Sequence, residues 1–543
     1  MNTMGRYIKV YTREPETGCY PAGLAYSVHM AYSTDRETFR PLNKNYGILF
    51  AEAEIREDNT IFPKGVKDPG IVVLENDCYG IVATRINESG DLDENCNEKF
   101  LLWKTEDFIE FEYVGPVEKS RLVSRQISDR VELSREVFET AVQYWSPVFQ
   151  TGAEVAEYVE AKSARELCDV KATVVYSDGS VSLKKIDWET ENIDFQMPGV
   201  YEIKGKICSE KYPFPLTKGY GDPVLFRWEG KWYYIATNDN KNAIGLYVRE
   251  ADTVKDLFAE DTKEHIILAK DESRQLIQTF WAPEFHIIGG ELYILFAVSG
   301  KAWGPQCHMM KLKKGGHITD PDSWESPIRV RRMDGTFLAE GAITLDMTYI
   351  KTVRASYVVW SYREHIGTPL DSGSMLFIAT VEEREPWKLT SDPVLLTRPL
   401  LGWENVEGTI NNEGPYAFIH DSKVYLSYSG GSADSYTYAV GLLTALEEDD
   451  LLDIDSWKKR STPVLSFYSV EGEYGPGHNS FYVNENGDLM IAYHGETAID
   501  LHLRCDGIRR VHFRKGGVPD FGMSAEEDFS EALREITTKL IIK

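Results

Sequence analysis

The chain has 543 residues, with 42% hydrophobic and 27% charged residues, which is ordinary for a globular protein of two to four domains. Acidic residues outnumber basic ones by 86 to 59, giving a formal net charge of −27. Because nucleic acids and anionic membranes are bound by basic surfaces, this balance argues against both as partners. Widely spaced cysteines and the lack of an apolar leader or membrane-spanning stretch predict free thiols and a cytoplasmic location.

Three regions differ in composition along the chain. Residues 1–118 contain aromatic-rich, propeller-like strands, including KDPGIVVLENDCYGIVATR, and predict an N-terminal β region that is either an accessory blade or a separate subdomain. Residues 119–208 combine a partly helical or linker-like segment with alternating apolar residues around a Ser-Asp-Gly turn, which resembles a bacterial immunoglobulin-like β-sandwich. Residues 209–543 form the third predicted domain.

Five segments of this third domain repeat without gaps. Each combines an apolar strand, a turn and a second aromatic-rich strand. They start at Asp222, Ala282, Asp346, Glu413 and His478, which are 60, 64, 67 and 65 residues apart. A period of this length accommodates about four short strands, so the sequence predicts an all-β fold with a five-bladed β-propeller.

The first position of each repeat carries the residues that point to chemistry. In a propeller the first strand of every blade lines the central axis, so we expect Asp222, Asp346, Glu413 and His478 to converge there. Bringing carboxylates together away from water costs free energy and indicates a functional site. The alternative is that these residues only begin strands at a solvated rim. Two carboxylates flanking a bond, tuned by a third, are the groups that glycoside hydrolysis uses.

Five motifs make the pattern more specific: GDPVLFRWEGKWYYIATND, FWAPEFH, LDMTYI followed by YVVWS, NNEGPY, and YGPGHNSF. Their order across residues 211–517 resembles glycoside hydrolase family 43, whose members are five-bladed propeller enzymes acting on arabinofuranosides and xylosides. The resemblance implies an inverting reaction in which Asp222 is the general base and Glu413 the general acid. Asp346 is then the residue that orients the acid and adjusts its pKa.

The resemblance also suggests residues that bind substrate or a cation. Trp281 is similar to a wall of the −1 sugar site, and His478 to the axial histidine that lies near a water-coordinated cation. Calcium suits that position as a structural ion, while the chemistry itself requires no cofactor. Glu284 lies on the same strand face as Ala282 and either binds sugar hydroxyls or supports the site from behind. Arg510, in GIRRVHF, is a candidate sugar contact.

Two further aspartates compete for catalytic roles. Asp68 begins another Asp-Pro segment of the same type, but the five repeats already fill the ring without it. Asp334 lies in a Met-Asp-Gly-Thr sequence that suits the orienting residue. Asp346 lies fourteen residues before Trp360, as the repeat requires, whereas Asp334 lies twenty-six before it. The sequence therefore favours Asp222 and Asp346.

We therefore expect an inverting, exo-acting α-L-arabinofuranosidase that acts on short plant-derived oligosaccharides. A β-D-xylosidase or a bifunctional enzyme is the alternative. A non-catalytic glycan-binding propeller is disfavoured because every acidic position is filled. The expected partner is an arabinose- or xylose-containing oligosaccharide, with neither nucleic acid nor membrane, and the sequence leaves the formation of a homo-oligomer open.

Overall fold

The computed structural model describes residues 5–75, 78–122 and 124–543, and its secondary structure is mainly β. The chain divides into two compact units. The first comprises Met1–Ser146, Phe214–Phe481 and Ala492–Gly507, and the second Pro147–Pro213, Tyr482–Ile491 and Ile508–Lys543.

None of the helices in the described ranges is long and apolar enough to cross a membrane. The α-helices are Ala22–Ala25, Arg135–Trp145, Ala164–Leu167, Val254–Leu257 and Ala525–Asp528. Single 3-10 turns occupy Asn43–Asn45, Glu94–Cys96, Lys119–Arg121, Asp239–Lys241, Pro321–Ser323, Val406–Gly408, Ile454–Ser456 and Glu531–Leu533.

Five antiparallel sheets follow one another along the chain and form the blades of the predicted five-bladed propeller, which is confirmed. Their strands, in sequence order, are Tyr220–Trp228, Lys231–Asn238, Leu246–Ala251 and Glu264–Leu268 in blade 1; Gln278–Ile288, Glu291–Ser299, Gln306–Lys311 and Ile328–Arg329 in blade 2; Ile343–Lys351, Ser356–Arg363, Met375–Val381 and Val394–Thr397 in blade 3; Asn412–His420, Lys423–Gly430, Ala439–Leu446 and Lys458–Lys459 in blade 4; and Tyr474–Val483, Leu489–Glu496 and Cys505–Arg510 in blade 5.

Buried apolar side chains hold the successive blades together. The second strands of blades 1 to 4 are buried along most of their length, which explains why they read as nearly continuous apolar runs rather than as alternating patterns. Pairs of fully buried side chains that belong to one core illustrate this: Ile235 with Phe296 from blades 1 and 2, Leu295 with Val358 from blades 2 and 3, and Ile378 with Leu426 from blades 3 and 4.

The ring of blades closes through backbone hydrogen bonds between residues 216–219, which lead into blade 1, and the last strand of blade 5. The N–H of Leu216 donates to the carbonyl of Asp506 at 2.9 Å, and the N–H of Gly219 donates to the carbonyl of Arg504 at 2.8 Å. Blade 5 has three strands of its own. The entering segment therefore satisfies the outer edge of that sheet, which otherwise exposes unpaired backbone groups.

The N-terminal part of the first unit is built from β-sheets, as expected, and one helix. The helix Arg135–Trp145 is capped by the Ser134 side chain and buries Phe138, Ala141 and Trp145. These residues pack into one core with both larger sheets. The strand orders are Arg130–Glu132, Tyr7–Tyr11, His29–Ser33 and Arg40–Pro41; Ile127–Ser128, Lys64–Val73, Tyr79–Asn87, Lys99–Thr105 and Glu112–Glu118; and the hairpin Glu54–Ile55 with Ile61–Phe62.

The second unit contains a six-stranded sheet and a short hairpin. Across the sheet the order is Gln150–Glu154, Lys171–Tyr176, Val181–Trp188, Gly199–Ile207, Glu535–Ile542 and Tyr158–Glu160, and the hairpin pairs His512–Phe513 with Pro519–Asp520. The C-terminal strand pairs with Gly199–Ile207 over eight residue pairs. Residues 508–543, which fall in the predicted propeller domain, therefore belong by their contacts to this unit, while 119–146 belong to the first.

Candidate active site

The first strand of each blade carries a residue with positive φ near its start. The φ angles are 59° at Asp222, 44° at Ala282, 54° at Asp346, 57° at Gly414 and 40° at His478. In blades 1 to 4 the register between the first two strands shifts at the same point, which identifies a β-bulge. A bulge redirects the side chain out of the regular alternation of the strand. The sequence repeat therefore marks the bulges.

The bulge of blade 4 lies at Gly414, one residue later than the ungapped repeat predicts. Glu413 instead pairs with Ser429 in the second strand of its blade, in the register that Trp281 and Leu345 have in theirs. The general-acid candidate therefore extends from the residue before the bulge. Its side chain, one methylene longer than that of an aspartate, reaches the axis from this different starting point.

Asp222 is buried and its carboxylate has several partners. Oδ1 lies 3.0 Å from Nη1 of Arg504 and 3.1 Å from Nδ1 of His478, and the Thr237 hydroxyl donates to Oδ2 at 2.5 Å. Burial on its own raises the pKa of this carboxyl group. The positive charges of Arg504 and His478 outweigh it and hold the pKa of Asp222 well below its usual range. Asp222 is therefore ionised at neutral pH.

Arg504 links blade 1 to the segment that closes the ring. Its Nε and Nη2 donate to the two carboxylate oxygens of Asp239 at 2.9 and 2.8 Å, which fixes the guanidinium beside Asp222. The side chain passes over Gly221, where an added Cβ would lie 2.1 Å from the guanidinium carbon. The sequence reasoning missed Arg504 because it lies outside the repeats, immediately before the last strand of blade 5.

His494 supports Asp222 through the backbone rather than through charge. The N–H of Asp222 donates to Nδ1 of His494 at 3.1 Å, and Nε2 of His494 lies 3.2 Å from the carbonyl of Ala433. These partners require a neutral ring with its proton on Nε2. Burial lowers the pKa of His494, which agrees with that tautomer. The proximity of its Nδ1 to the Asp222 carboxylate is therefore not an ion pair.

Hydroxyl side chains in the second strands satisfy the backbone at the neighbouring bulges. The N–H of Ala282 donates to the Thr237 hydroxyl at 2.9 Å, and the N–H of His478 donates to the Ser429 hydroxyl at 2.8 Å. Both hydroxyl residues lie fifteen positions after the bulge of their own blade. This recurrence of small hydroxyl residues within the repeats was the sequence signal for the supporting groups, and the sequence reasoning did not use it.

Asp346 bridges blades 3 and 4. Its Oδ2 accepts a hydrogen bond from the N–H of Gly414 at 3.1 Å and from the Ser361 hydroxyl at 3.2 Å. Burial and the negative charge of Asp222 raise the pKa of Asp346 above its ordinary value, against the opposing attraction of His478. Asp346 is thus held next to the backbone that carries Glu413.

Glu413 is half-buried and is the acid of the group with the strongest reason to keep its proton. Its Oε1 accepts a hydrogen bond from the Tyr438 hydroxyl at 3.0 Å. Burial is the main cause that raises the pKa of Glu413, and the negative charge of Asp346 adds to it. Asp222 and Glu413 are consequently displaced in opposite directions, one towards the ionised and one towards the protonated form.

His478 lies among these carboxyl groups, and Glu284 also belongs to their surroundings. Burial disfavours the charged imidazole, but the charges of Asp222, Asp346, Glu413 and Glu284 together raise the pKa of His478. Glu284 is itself buried, and its Oε2 lies 2.6 Å from Nε2 of His286. The structure therefore brings together the three predicted catalytic acids, His478 and Glu284.

The cation expected near His478 stays a prediction. Across residues 5–75, 78–122 and 124–543, no group of three or more His, Cys, Asp or Glu side chains is arranged to hold a metal ion. His478 faces Asp222 with Nδ1 and has a raised pKa.

Of the other predicted residues, Trp281 is half-buried immediately before the bulge of blade 2. Its role as a wall of the sugar site stays a prediction. Arg510 differs from the expectation: it belongs to the second unit, where it forms an ion pair with Asp528 and donates to the Tyr176 hydroxyl at 3.0 Å. The arginine that contacts a predicted catalytic acid is Arg504 instead.

Asp68 and Asp334, the two alternative candidates, are less buried than Asp222 and Asp346. Asp68 also occupies a bulge with a φ of 49°, but it is exposed and belongs to the sheet of Lys64–Val73 outside the five blades. Asp334 is exposed in a turn, where its Oδ1 accepts hydrogen bonds from the N–H and the hydroxyl of Thr336. Neither shares the buried setting of Asp222 and Asp346.

Gly414 couples backbone strain to the site, which gives a stability prediction. An alanine Cβ at this position would meet a left-handed φ of 57° and lie 2.9 Å from the imidazole of His478. Gly408 has a φ of 83° with open space around it and is the matched control. We expect Gly408→Ala to lower the free energy of unfolding by about 1 kcal/mol and Gly414→Ala by at least twice as much. Denaturant unfolding measures both, and equal losses would contradict the close packing against His478.

Comparisons with known proteins agree with this geometry. The sequence profile "Glycosyl hydrolases family 43" matches residues 213–519, and the profile "Bacterial Ig-like domain (group 4)" matches residues 171–209. An extracellular exo-α-(1→5)-L-arabinofuranosidase of Streptomyces avermitilis is 31% identical over 319 residues, or 57% of this chain and 63% of that protein. An enzyme of the same name from Streptomyces chartreusis is 32% identical over 286 residues, or 52% of this chain and 82% of that protein.

A solved structure supports the same assignment. The α-L-arabinofuranosidase of Lactobacillus brevis superposes with a TM-score of 0.50 at 28% identity, covering 59% of this chain and 98% of that one. The chain spans less than two thirds of the length of the Streptomyces avermitilis enzyme. The family profile covers more than half of the chain, and the buried acids lie within the matched region. The protein therefore belongs to glycoside hydrolase family 43 and carries a bacterial immunoglobulin-like domain.

Proposed function

We propose that this glycoside hydrolase is an inverting, exo-acting α-L-arabinofuranosidase that removes arabinofuranosyl units from arabinose-containing oligosaccharides. The observation that carries the proposal is the opposite displacement of two carboxyl pKa values, low at Asp222 and high at Glu413. The names of the Streptomyces and Lactobacillus relatives supply the choice of sugar.

In the proposed reaction a water molecule attacks the anomeric carbon while the glycosidic C–O bond breaks. Asp222 accepts a proton from the water, and Glu413 gives its proton to the departing oxygen. The new C–O bond forms on the face opposite the leaving group, so the configuration inverts. Asp346 holds the backbone of Gly414 and disfavours early loss of the Glu413 proton by its charge.

Arg504 and His478 keep Asp222 ionised although two other acids belong to the same group. Arg504 and His478 preserve the ionised form of Asp222 in a buried place where carboxyl groups otherwise keep their protons. Asp239 holds Arg504 from the other side by two hydrogen bonds. This arrangement supplies an acid and a base at the same pH.

The choice of sugar is tested with a panel of para-nitrophenyl glycosides. We expect release from the α-L-arabinofuranoside at a kcat/KM at least about tenfold above that for the β-D-xyloside, a difference of about 1.4 kcal/mol in transition-state stabilisation. Preference for the xyloside would replace the proposed specificity by that of a β-D-xylosidase. Activity on neither would contradict both and leave a glycan-binding role.

The assignment of the acid is tested by Glu413→Gln. This substitution removes the proton donor, so turnover of an arabino-oligosaccharide should fall by about 10²–10⁴-fold, whereas an aryl arabinofuranoside with a good leaving group should lose much less. Wild-type activity should also fall as the pH rises through the raised pKa of Glu413, and this alkaline limb should be absent from the variant. Glu407→Gln, at an exposed position of blade 4's entry, is the control and should behave as wild type. Equal losses on both substrates would argue against Glu413 as the acid.

The assignment of the base is tested by comparing two aspartates in equivalent bulges. Asp222→Asn should abolish activity on activated and natural substrates alike, because the attacking water must lose a proton in both cases. Asp68→Asn should retain activity, because Asp68 is exposed and outside the blades. NMR of the first sugar released should show inverted configuration. Retention would require a nucleophilic carboxylate, and an active Asp222→Asn enzyme would require a different base.

A further inference from the structure

Blade 3 contains a cavity that Asp222, Asp346 and Glu413 do not line. It encloses about 270 Å³ and is bounded by side chains from the second and third strands of the blade, with contributions from Asn59, Arg332 and Arg398. This volume lies just below the range of about 300–1,000 Å³ that drug-sized ligands occupy. The cavity therefore suits a ligand about as large as one monosaccharide.

One wall of the cavity is aromatic. The rings of Trp360 and Phe377 lie nearly parallel, at 21°, with centroids 6.1 Å apart. Tyr362 meets Phe377 edge-on, with centroids 5.3 Å apart, and all three line the cavity. Such a wall offers an extended apolar surface, which complements the C–H face of a sugar ring.

Two residues that line the cavity also carry buried hydrogen-bond donors without partners. Trp360 is 2% exposed and Arg398 is 7% exposed. Nε1 of Trp360 and Nε of Arg398 have no hydrogen-bond partner among the described residues. Leaving such a buried donor unsatisfied costs about 1–3 kcal/mol, and more when the group is charged. Two unsatisfied donors on residues that line one cavity therefore favour an acceptor ligand.

Arg398 is fixed in position by neutral groups, and Glu364 is the acidic side chain whose charge acts on it. Its two terminal nitrogens donate to the side chain and carbonyl of Asn59 and to the carbonyl of Ser372, at 2.8, 2.9 and 3.1 Å. Within the described part of the chain its guanidinium forms no ion pair. Arg332 adds a second positive charge to the lining and Glu364, bonded to the Tyr362 hydroxyl, one negative charge. The lining is thus net positive, which favours an anionic ligand.

We propose that this cavity is a non-catalytic binding site for one uronic acid unit of a glycan. The sugar ring packs on the aromatic wall, the carboxylate accepts from Arg398 with Arg332 close by, and a ring oxygen accepts from Trp360. Such a ligand is anionic, carries several acceptor oxygens and has a ring, so it complements the positive charge, the unpaired donors and the aromatic wall of the cavity. A neutral pentose complements only the aromatic wall.

One strand, Ser356–Arg363, contributes side chains both to the cavity and to the group of acids. Ser361 donates to Asp346 from one face of the strand Ser356–Arg363. Trp360 and Tyr362, its immediate neighbours, point to the opposite face and line the cavity. Because Asn59 holds Arg398, the N-terminal region completes the site. A glycan bearing an acidic sugar is therefore held beside the acids without occupying them.

The test titrates the full chain with methyl β-D-glucuronide and, in parallel, with methyl β-D-glucoside, its neutral isostere, and inorganic phosphate, by calorimetry or ligand-observed NMR. We expect the glucuronide to bind at least about tenfold more tightly than the glucoside, because a charge-assisted hydrogen bond is lost in the latter. Phosphate should not displace it. Hydrolysis of an aryl arabinofuranoside should be unaffected by saturating glucuronide, which separates this site from the active site.

Two substitutions locate the binding. Trp360→Phe removes the donor while keeping an aromatic ring, and Arg332→Gln removes a half-buried charge without disturbing Arg398. Each should weaken glucuronide binding about tenfold, whereas Arg384→Gln, at an exposed arginine of the same unit, should not. The proposal is overturned if the glucoside binds equally well, if phosphate competes, if no binding occurs up to about 50 mM, or if folded variants bind as wild type. The readout is binding, so it stands apart from the proposed arabinofuranosidase activity.

Discussion

The ion pair between Asp222 and Arg504 is the interaction on which the site depends. The two residues are 282 positions apart and meet because the segment entering blade 1 pairs with the last strand of blade 5. Asp239 fixes the guanidinium, and the glycine at 221 leaves room for it. Ring closure therefore supplies the positive charge that compensates the buried Asp222 carboxylate.

This pair also determines how the other acids behave. Three carboxyl groups in one buried place cannot all ionise without large repulsion. With Asp222 stabilised as the anion, its charge disfavours ionisation of Asp346, and Asp346 in turn disfavours ionisation of Glu413. Protonation therefore increases along the series away from Arg504. The asymmetry that acid–base catalysis requires follows from the fixed cation beside Asp222 together with burial, which is the main cause that raises the pKa of Asp346 and of Glu413.

The architecture was predictable from the sequence because hydrophobic repeats report packing directly. Asp222, Asp346 and His478 were found because their bulges recur at the same place in each repeat. Glu413 lies one residue out of the register that the ungapped repeat assumes, since such a repeat cannot detect a shifted bulge. Arg504 was missed and Arg510 preferred, because a side chain that reaches the axis from an irregular segment leaves no periodic signal.

The bulges explain how this fold accommodates a site whose backbone conformation costs free energy. A positive φ costs about 1–2 kcal/mol at a non-glycine residue, and Asp222, Asp346 and His478 each adopt one. The strain is sustained because the bulged N–H groups of Asp222 and His478 are satisfied by His494 and Ser429, which lie in the apolar, well-packed second strands. The rigid blades thus sustain the backbone strain at the bulges, and the bulges direct Asp222, Asp346 and His478 towards the axis.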